Sequence, residues 1–363
     1  MLEHIETPAL VVDLDKMENN LRKMKQIARK KRVKLRPHVK THKSPYIALK
    51  QIALGADGIT VATLGEAEVM RRHGITDILI AYPIVGRNKL ARLKRLAEGA
   101  DMTVSLDSIE VARGIDAVGE SLQRKMPVYV EVNTGLNRVG RQPNHETVQL
   151  IKELRQLPYL DIVGLMTHGG YAYKAKTVEA LQEAARSEGE QLVQTKHLVK
   201  AELGLDIPEI SVGSTPTALA DIVAYGVTEM RPGTYVFHDA TLYSLGVVTE
   251  EECALTICTT VVSHPAPHRF IVDAGSKTLT SDKGVFTKGY GLIKHSKEVW
   301  ISWLSEEHGV VELEGPSAYK IGDQLEIIPN HVCPAVNLAD ALIGVRDGRF
   351  ERIIQVEARG KNQ

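Results

Sequence analysis

The chain has 363 residues, in which 45 lysines and arginines balance 45 aspartates and glutamates. Neutral balance argues against a nucleic-acid or membrane-surface partner, and no apolar run approaches the roughly 20 residues that cross a bilayer. The length allows a full core and two domains, and three cysteines, Cys253, Cys258 and Cys333, make no disulfide framework, so a reducing, cytoplasmic setting is expected. The first residues, MLEHIETPALVVDL, lack a basic region followed by a long apolar stretch, so no secretory signal is expected.

From residue 9 onward, short β-branched runs alternate with amphipathic stretches. ALVVDL precedes DKMENNLRKMKQIARKK; LRPHVK precedes SPYIALKQIALG; GITVATL precedes GEAEVMRRHG. DILIAY, DMTVSLDS, PVYVEVNT and DIVGLMTHGG each lead into a helical pattern, and EISVGST and MRPGTYVF flank the short piece TALADIVAYG. Strand then helix, with glycine at the turns, is the signature of a parallel sheet built from βα units. The count is nine candidate strands, and a (β/α)8 TIM barrel needs eight. The first, ALVVDL, is therefore expected outside the barrel, joining a second domain. An open doubly wound sheet is the alternative, although no GxGxxG follows a strand. After about Ala240 the long helical patterns stop, and EECALTICTTVVSHP, HRFIVDAGSK, VVELEG, DQLEIIPNHV and ALIGVRDGRFERIIQV read as strands joined by turns. The expected division is an α/β barrel over 9–240 and a β-rich C-terminal domain over 241–363.

Function in a barrel collects at the C-terminal ends of its strands. Lys40 ends the second candidate strand, flanked by His38, His42 and Lys43. A primary amine depressed by burial and neighbouring cations can attack a carbonyl; the same cluster also reads as a hydrated strand end. Asn133, Thr134 and Arg138 follow VYVEV, and a guanidinium there can hold a phenolate or carboxylate. His168 ends DIVGLMTH as a candidate base or as a histidine satisfying local backbone. Gly213, Ser214 and Thr215 form a turn before a helix, suited to a phosphate monoester or simply to a helix cap. Arg231, Gly233 and Tyr235 surround the last strand and can add donors.

In the C-terminal domain, PNHVCP places His331 and Cys333 two residues apart. In an extended chain that spacing puts both side chains on one face, and imidazole with thiolate suits a divalent metal such as Zn²⁺. Two ligands are short of the four of a structural zinc site and leave positions for water or substrate. The alternative is a buried cysteine beside a hydrogen-bonded histidine. Cys253 and Cys258 read as core residues.

RPHVKTHK, VNTGLNRVG, THGG, VGST, EMRPGTYVF, DAGSK and PNHVCPAVNL together resemble the D-threonine aldolase and D-serine dehydratase family, a branch of the alanine racemase-like pyridoxal phosphate enzymes, and the resemblance spans nearly the whole chain. It implies a barrel of the alanine racemase type with a β-rich second domain, and pyridoxal 5'-phosphate held covalently by Lys40. It implies Arg138 at the cofactor's phenolic oxygen, with Gly213, Ser214, Thr215, Gly233 and Tyr235 around the phosphate. Arg231 matches the arginine that faces the pyridine nitrogen in alanine racemase-like enzymes, a position that varies within this branch. His331 and Cys333 match the metal pair, for Zn²⁺ or Mn²⁺. Aldolase members often carry H-x-D there, and dehydratase members H-x-C. The racemase's second catalytic tyrosine has no counterpart here. The implied substrate is a small D-3-hydroxy amino acid, cleaved to glycine and an aldehyde or dehydrated to a keto acid and ammonia, with His168 or a metal-bound water as base for the first path. The implied assembly is a homodimer with no nucleic-acid or membrane partner. A non-catalytic pyridoxal phosphate-binding protein and a metal-only hydrolase are the other classes considered.

Overall fold

The computed structural model describes residues 5–220, 222–296 and 298–363. The chain forms two compact units: one of residues 24–40, 47–233 and 361–363, the other of the stretch ending at Lys23 with residues 41–46 and 234–360.

The chain's first strand is β1 (Ala9–Asp13). Eight parallel strands follow in the first unit: β2 (Lys34–Leu35), β3 (Ile59–Val61), β4 (Asp77–Ile80), β5 (Asp101–Leu106), β6 (Met126–Glu131), β7 (Leu160–Met166), β8 (Glu209–Val212) and β9 (Glu229–Met230). They pair in the order β2-β9-β8-β7-β6-β5-β4-β3. The two ends of the sheet meet at a parallel bridge between His38 and Thr60, where the Thr60 amide donates to the Pro37 carbonyl at 2.8 Å. The sheet curls into a (β/α)8 barrel, and the open doubly wound alternative falls away.

β-Branched and aliphatic residues fill this core because a parallel sheet is covered on both faces: Ile59, Ile78, Val104, Val128 and Ile210 have no exposed surface. Helix starts are set locally. Thr63, Ser108 and Thr177 cap helices Leu64–Arg72, Ile109–Leu122 and Val178–Leu203, each accepting the backbone N–H three residues on.

The other unit is antiparallel apart from one strand pair. Its strands are β1, β10 (Leu255–Ala266), β11 (Arg269–Val272), β12 (Leu292–Ile293), β13 (Val299–Leu304), β14 (Gly309–Leu313), β15 (Gln324–Ile328), β16 (Ala341–Arg346) and β17 (Arg349–Gln355). The order is β11-β14-β13-β12-β15-β10-β1-β16-β17, and the extra β11–β10 pairing closes β10 to β15 into a small barrel. β1 pairs antiparallel with β10 and parallel with β16, so ALVVDL belongs to this sheet. Cys253 and Cys258 are buried and unbridged, as core residues.

Several local expectations need correction. LRPHVK is not one strand: β2 ends at Leu35, Pro37 supplies no donor to extend the ladder, and Lys40 lies in a 3-10 turn, Val39–Thr41. The helical piece after VGST is short, Thr215–Leu219, and position 221 within the expected segment lies outside the described residues. NHVCP is not extended. Helix Val332–Leu338 begins there, with His331 as its cap residue; Pro334 fits the first turn, where its missing N–H is not needed, and Asp239 Oδ2 accepts the Val332 amide at 3.3 Å. β13 was not among the strands expected from sequence. Among the described residues, no helix is long and apolar enough to cross a membrane.

Candidate active site

Beyond the C-terminal ends of the barrel strands, Lys40, Arg138 and Arg231 gather around two histidines. Burial first, then the charges of Lys40 and Arg231, hold His38 well below its usual range. Burial and then Lys40 push His168 down to about 3, with Arg138 and Arg231 adding to the effect. His168 Nδ1 lies 3.0 Å from the Gly213 carbonyl. A carbonyl only accepts, so this contact fixes the proton on Nδ1 and leaves the lone pair on Nε2. Neutral His168 is therefore an acceptor at neutral pH.

The loop that carries Arg138 and the side chain of Arg231 are held by their surroundings. Arg138 is exposed on the loop after β6. Asn133 Oδ1 accepts the amides of Gly135 and Asn137 at 3.1 and 3.0 Å, and the Asn133 and Arg141 main chains bond across the loop base at 2.8 Å. Gly140 has φ +101, and a Cβ there would meet the Asn133 nitrogen at 2.8 Å, so glycine is what lets the loop return. Arg231 is 5% exposed, with its guanidinium bonded to Ser211 Oγ and the Thr167 carbonyl. Behind it, Ser211 Oγ donates to Glu229 Oε1 at 2.5 Å, and Glu229 Oε2 pairs with Arg36 Nε at 2.7 Å. This charge-assisted chain orders the guanidinium from below.

The turn after β8 is built around Gly213, whose φ is +128 and where a Cβ would sit 2.9 Å from the Arg231 nitrogen. Ser214 caps the short helix in a capping box with Thr217, so the ordinary-cap role of Ser214 is realised. Thr215 begins that helix, and Gly233 follows Pro232, whose carbonyl accepts the His38 amide at 2.9 Å. Tyr235 belongs to the other unit, buried in the 3-10 turn Thr234–Val236.

Sequence reasoning missed Glu188. It projects from helix Val178–Leu203 and is 1% exposed; burial raises its carboxyl to about 7, with Thr217 and Arg231 opposing. Its Oε2 has no hydrogen-bond partner, and a Cβ on Gly169 would come within 1.9 Å of it. A glutamate on a long polar helix reads as solvated, so no sequence signal marks it.

In the antiparallel unit, His331 is half-exposed, and its Nδ1 is 2.9 Å from Asp282 Oδ2. Burial works against its imidazolium, but the contact with Cys333 and the nearby Asp239 and Asp282 outweigh that and raise it to about 9. The two predicted ligands thus meet although the chain between them is helical. Thr41 Oγ1 lies 3.2 Å from Cys333 Sγ. Asp239 is 2% exposed, and burial raises its carboxyl to about 6. No group of three or more His, Cys, Asp or Glu able to hold a metal occurs among the described residues.

Comparison with known proteins gives this arrangement its class. The family model described as alanine racemase, N-terminal domain, matches residues 12–241, and the one described as putative serine dehydratase domain matches 254–345. The chain is 36% identical to the D-threo-3-hydroxyaspartate dehydratase of Delftia sp. (strain HT23) over 91% of each chain. It is 35% identical to the D-threonine aldolase of Arthrobacter sp. over 99% of this chain and 94% of that one. A solved structure of D-threo-3-hydroxyaspartate dehydratase, a cysteine-to-alanine mutant in the metal-free form, superposes with a TM-score of 0.90 at 34% identity over 98% of both chains. The chain belongs to the alanine racemase-like family of fold type III pyridoxal phosphate enzymes, beside the D-threonine aldolases and D-serine dehydratases.

The residues fit the cofactor, and His331 with Cys333 would supply two donors to a divalent ion. Beyond burial, positive charge from Lys40, Arg138 and Arg231 further depresses two histidines, a field that a phosphate- and phenolate-bearing cofactor would neutralise, and Gly213 leaves a cradle that a side chain would fill. For a metal, the donor set is imidazole plus thiol. Asp282 lies against His331 Nδ1, where a carboxylate would orient the ring and leave Nε2 for an ion.

Proposed function

We propose that this chain is a pyridoxal phosphate- and divalent metal-dependent lyase of D-3-hydroxy amino acids. When bound, pyridoxal phosphate supplies an electron sink for charge developing at Cα, and a divalent ion supplies a Lewis acid for the β-hydroxyl. The rest falls to the chain's own residues. Lys40 Nζ would hold the cofactor covalently and, as a primary amine at the site, would be the group that takes or returns a proton at the substrate's Cα. Arg138 would hold the cofactor's phenolic oxygen, and Gly213, Ser214, Thr215, Gly233 and Tyr235 are the residues that would bind its phosphate. Arg231, a permanent cation, would stand toward the cofactor's ring nitrogen and would not give it a proton. His168 would accept at Nε2 from a substrate hydroxyl and orient it, because the Gly213 carbonyl holds its proton on Nδ1. His331 Nε2 and Cys333 Sγ hold the ion, Zn²⁺ or Mn²⁺.

Dehydration to a 2-keto acid and ammonia is the preferred reading. The observation that carries it is the thiol at Cys333 beside His331, supported by the metal-free cysteine mutant of the similar dehydratase. Retro-aldol cleavage to glycine and an aldehyde is the second reading, favoured by the similarity to a D-threonine aldolase over almost the whole chain. Incubation with D-threonine, D-serine and D-threo-3-hydroxyaspartate separates them: ammonia with a keto acid supports dehydration, and glycine with an aldehyde supports cleavage. No turnover of any of the three, by protein carrying cofactor and metal, would refute the lyase reading. The reading includes a cytoplasmic homodimer, and a fully active monomer in sedimentation at assay concentration would contradict the dimer.

A further inference from the structure

We propose that Thr41 is a positioning residue for the metal-binding thiolate, its hydroxyl donating a hydrogen bond to Cys333 Sγ. The inference rests on the reading that His331 and Cys333 hold a divalent ion. Thr41 has no exposed surface, and its Oγ1 lies 3.2 Å from the sulfur. A free thiol and a hydroxyl can bond in either direction. A metal-bound cysteine is a thiolate and has no proton to give, so in the loaded protein Thr41 is the donor. That bond is charge-assisted and stronger than its thiol counterpart.

The surroundings preorganise it. Threonine is branched at Cβ and stiff at χ1, and it sits in the short 3-10 turn Val39–Thr41. Cys333 stands in the first turn of helix Val332–Leu338, whose opening amide is held by buried Asp239. Each proposed ligand then has its own outer partner: a carboxylate, Asp282, on His331 and a hydroxyl, Thr41, on Cys333. A donor to the thiolate withdraws charge from sulfur, lowers the energy of its lone pairs and fixes their direction, which tunes the Lewis acidity of the ion as well as its retention.

The test compares Thr41→Val, which keeps shape and loses the donor, with Thr41→Ser, which keeps the donor and loses the methyl. Full-length protein carrying pyridoxal phosphate is stripped of metal by chelation. Zn²⁺ affinity is then measured by competition with a chromophoric chelator, and the sulfur-to-metal charge-transfer band is recorded after Co²⁺ loading. Thr41→Val should bind Zn²⁺ about ten- to hundredfold more weakly and move the Co²⁺ band to longer wavelength; Thr41→Ser should match the wild type in both. Where Thr41→Val fails to fold, Thr41→Ala against Thr41→Ser makes the same comparison. Wild-type affinity and an unshifted band in the donor-free variant would overturn the inference. Cys333→Ala serves as the control for the underlying reading: undiminished Zn²⁺ binding there would remove the metal pair itself, and the role of Thr41 with it.

Discussion

Lys40 stands out in the sequence because its neighbours, RPHVKTHK, are chemically unusual beside a strand. The fold adds what the string cannot show, that Arg138 and Arg231 come from distant segments to charge the same space. Glu188 was illegible for the opposite reason, since its partners are set by tertiary packing. Its raised carboxyl has a definite sign. Because the folded group titrates near 7 rather than 4.5, the native state holds a proton that the unfolded chain releases. Stability therefore falls as pH rises between those values, and the penalty is fully present above about 7. Glu188→Gln should remove it. The variant is expected to melt above the wild type at pH 8, by at most about 3 kcal/mol, and to converge with it near pH 4.5. Thermal unfolding at the two pH values checks this; an equal offset at both would mean that Glu188 does not titrate between them. Facing Glu188 are Arg231, Lys31 and Tyr171, all unchanged in the variant.

Among the elements, the βα alternation was readable because strand and helix periods differ and because glycine and the capping residues Thr63, Ser108 and Thr177 punctuate it. The short pieces were not readable. PNHVCP has the look of an extended ligand strand, yet a helix starts inside it because Asp239, 93 positions earlier, caps it. Asp239 also caps helix Ala240–Ser244 through the Leu242 amide at 3.1 Å. Asp239→Ala should thus loosen two helix starts at once, costing about 1–3 kcal/mol in chemical unfolding of the metal-free protein and weakening metal retention. An unchanged denaturation midpoint would show that water replaces the caps. At the turn after β8, Gly213→Ala puts a side chain against the Arg231 main chain at a positive φ. It should retain pyridoxal phosphate at least tenfold less tightly on dialysis, while the far-ultraviolet spectrum of the barrel stays intact; wild-type retention would take the phosphate away from this turn.

For the whole molecule, the parallel-then-antiparallel order of elements carried the fold, and the expected outlying strand found its place because β1 pairs with β10 and β16. What remained closed to sequence was closure itself: neither the His38–Thr60 bridge nor the long-range β10–β15 pairing has a local pattern. At this scale the metal reading predicts that chelation abolishes lyase activity and leaves the cofactor in place, and that Zn²⁺ or Mn²⁺ restores turnover. Cys333→Asp should still bind an ion, with preference shifted toward harder Mn²⁺, and should lose dehydration before aldol cleavage, as product assays on one preparation will show. All of this depends on where the cofactor is attached. Borohydride reduction of the native protein, followed by proteolysis and mass mapping, makes the lysine–cofactor linkage permanent and locates it. The account predicts the pyridoxyl mass on Lys40 in a single labelled peptide; the mass on Lys43 or another lysine, with Lys40 unmodified, would contradict it.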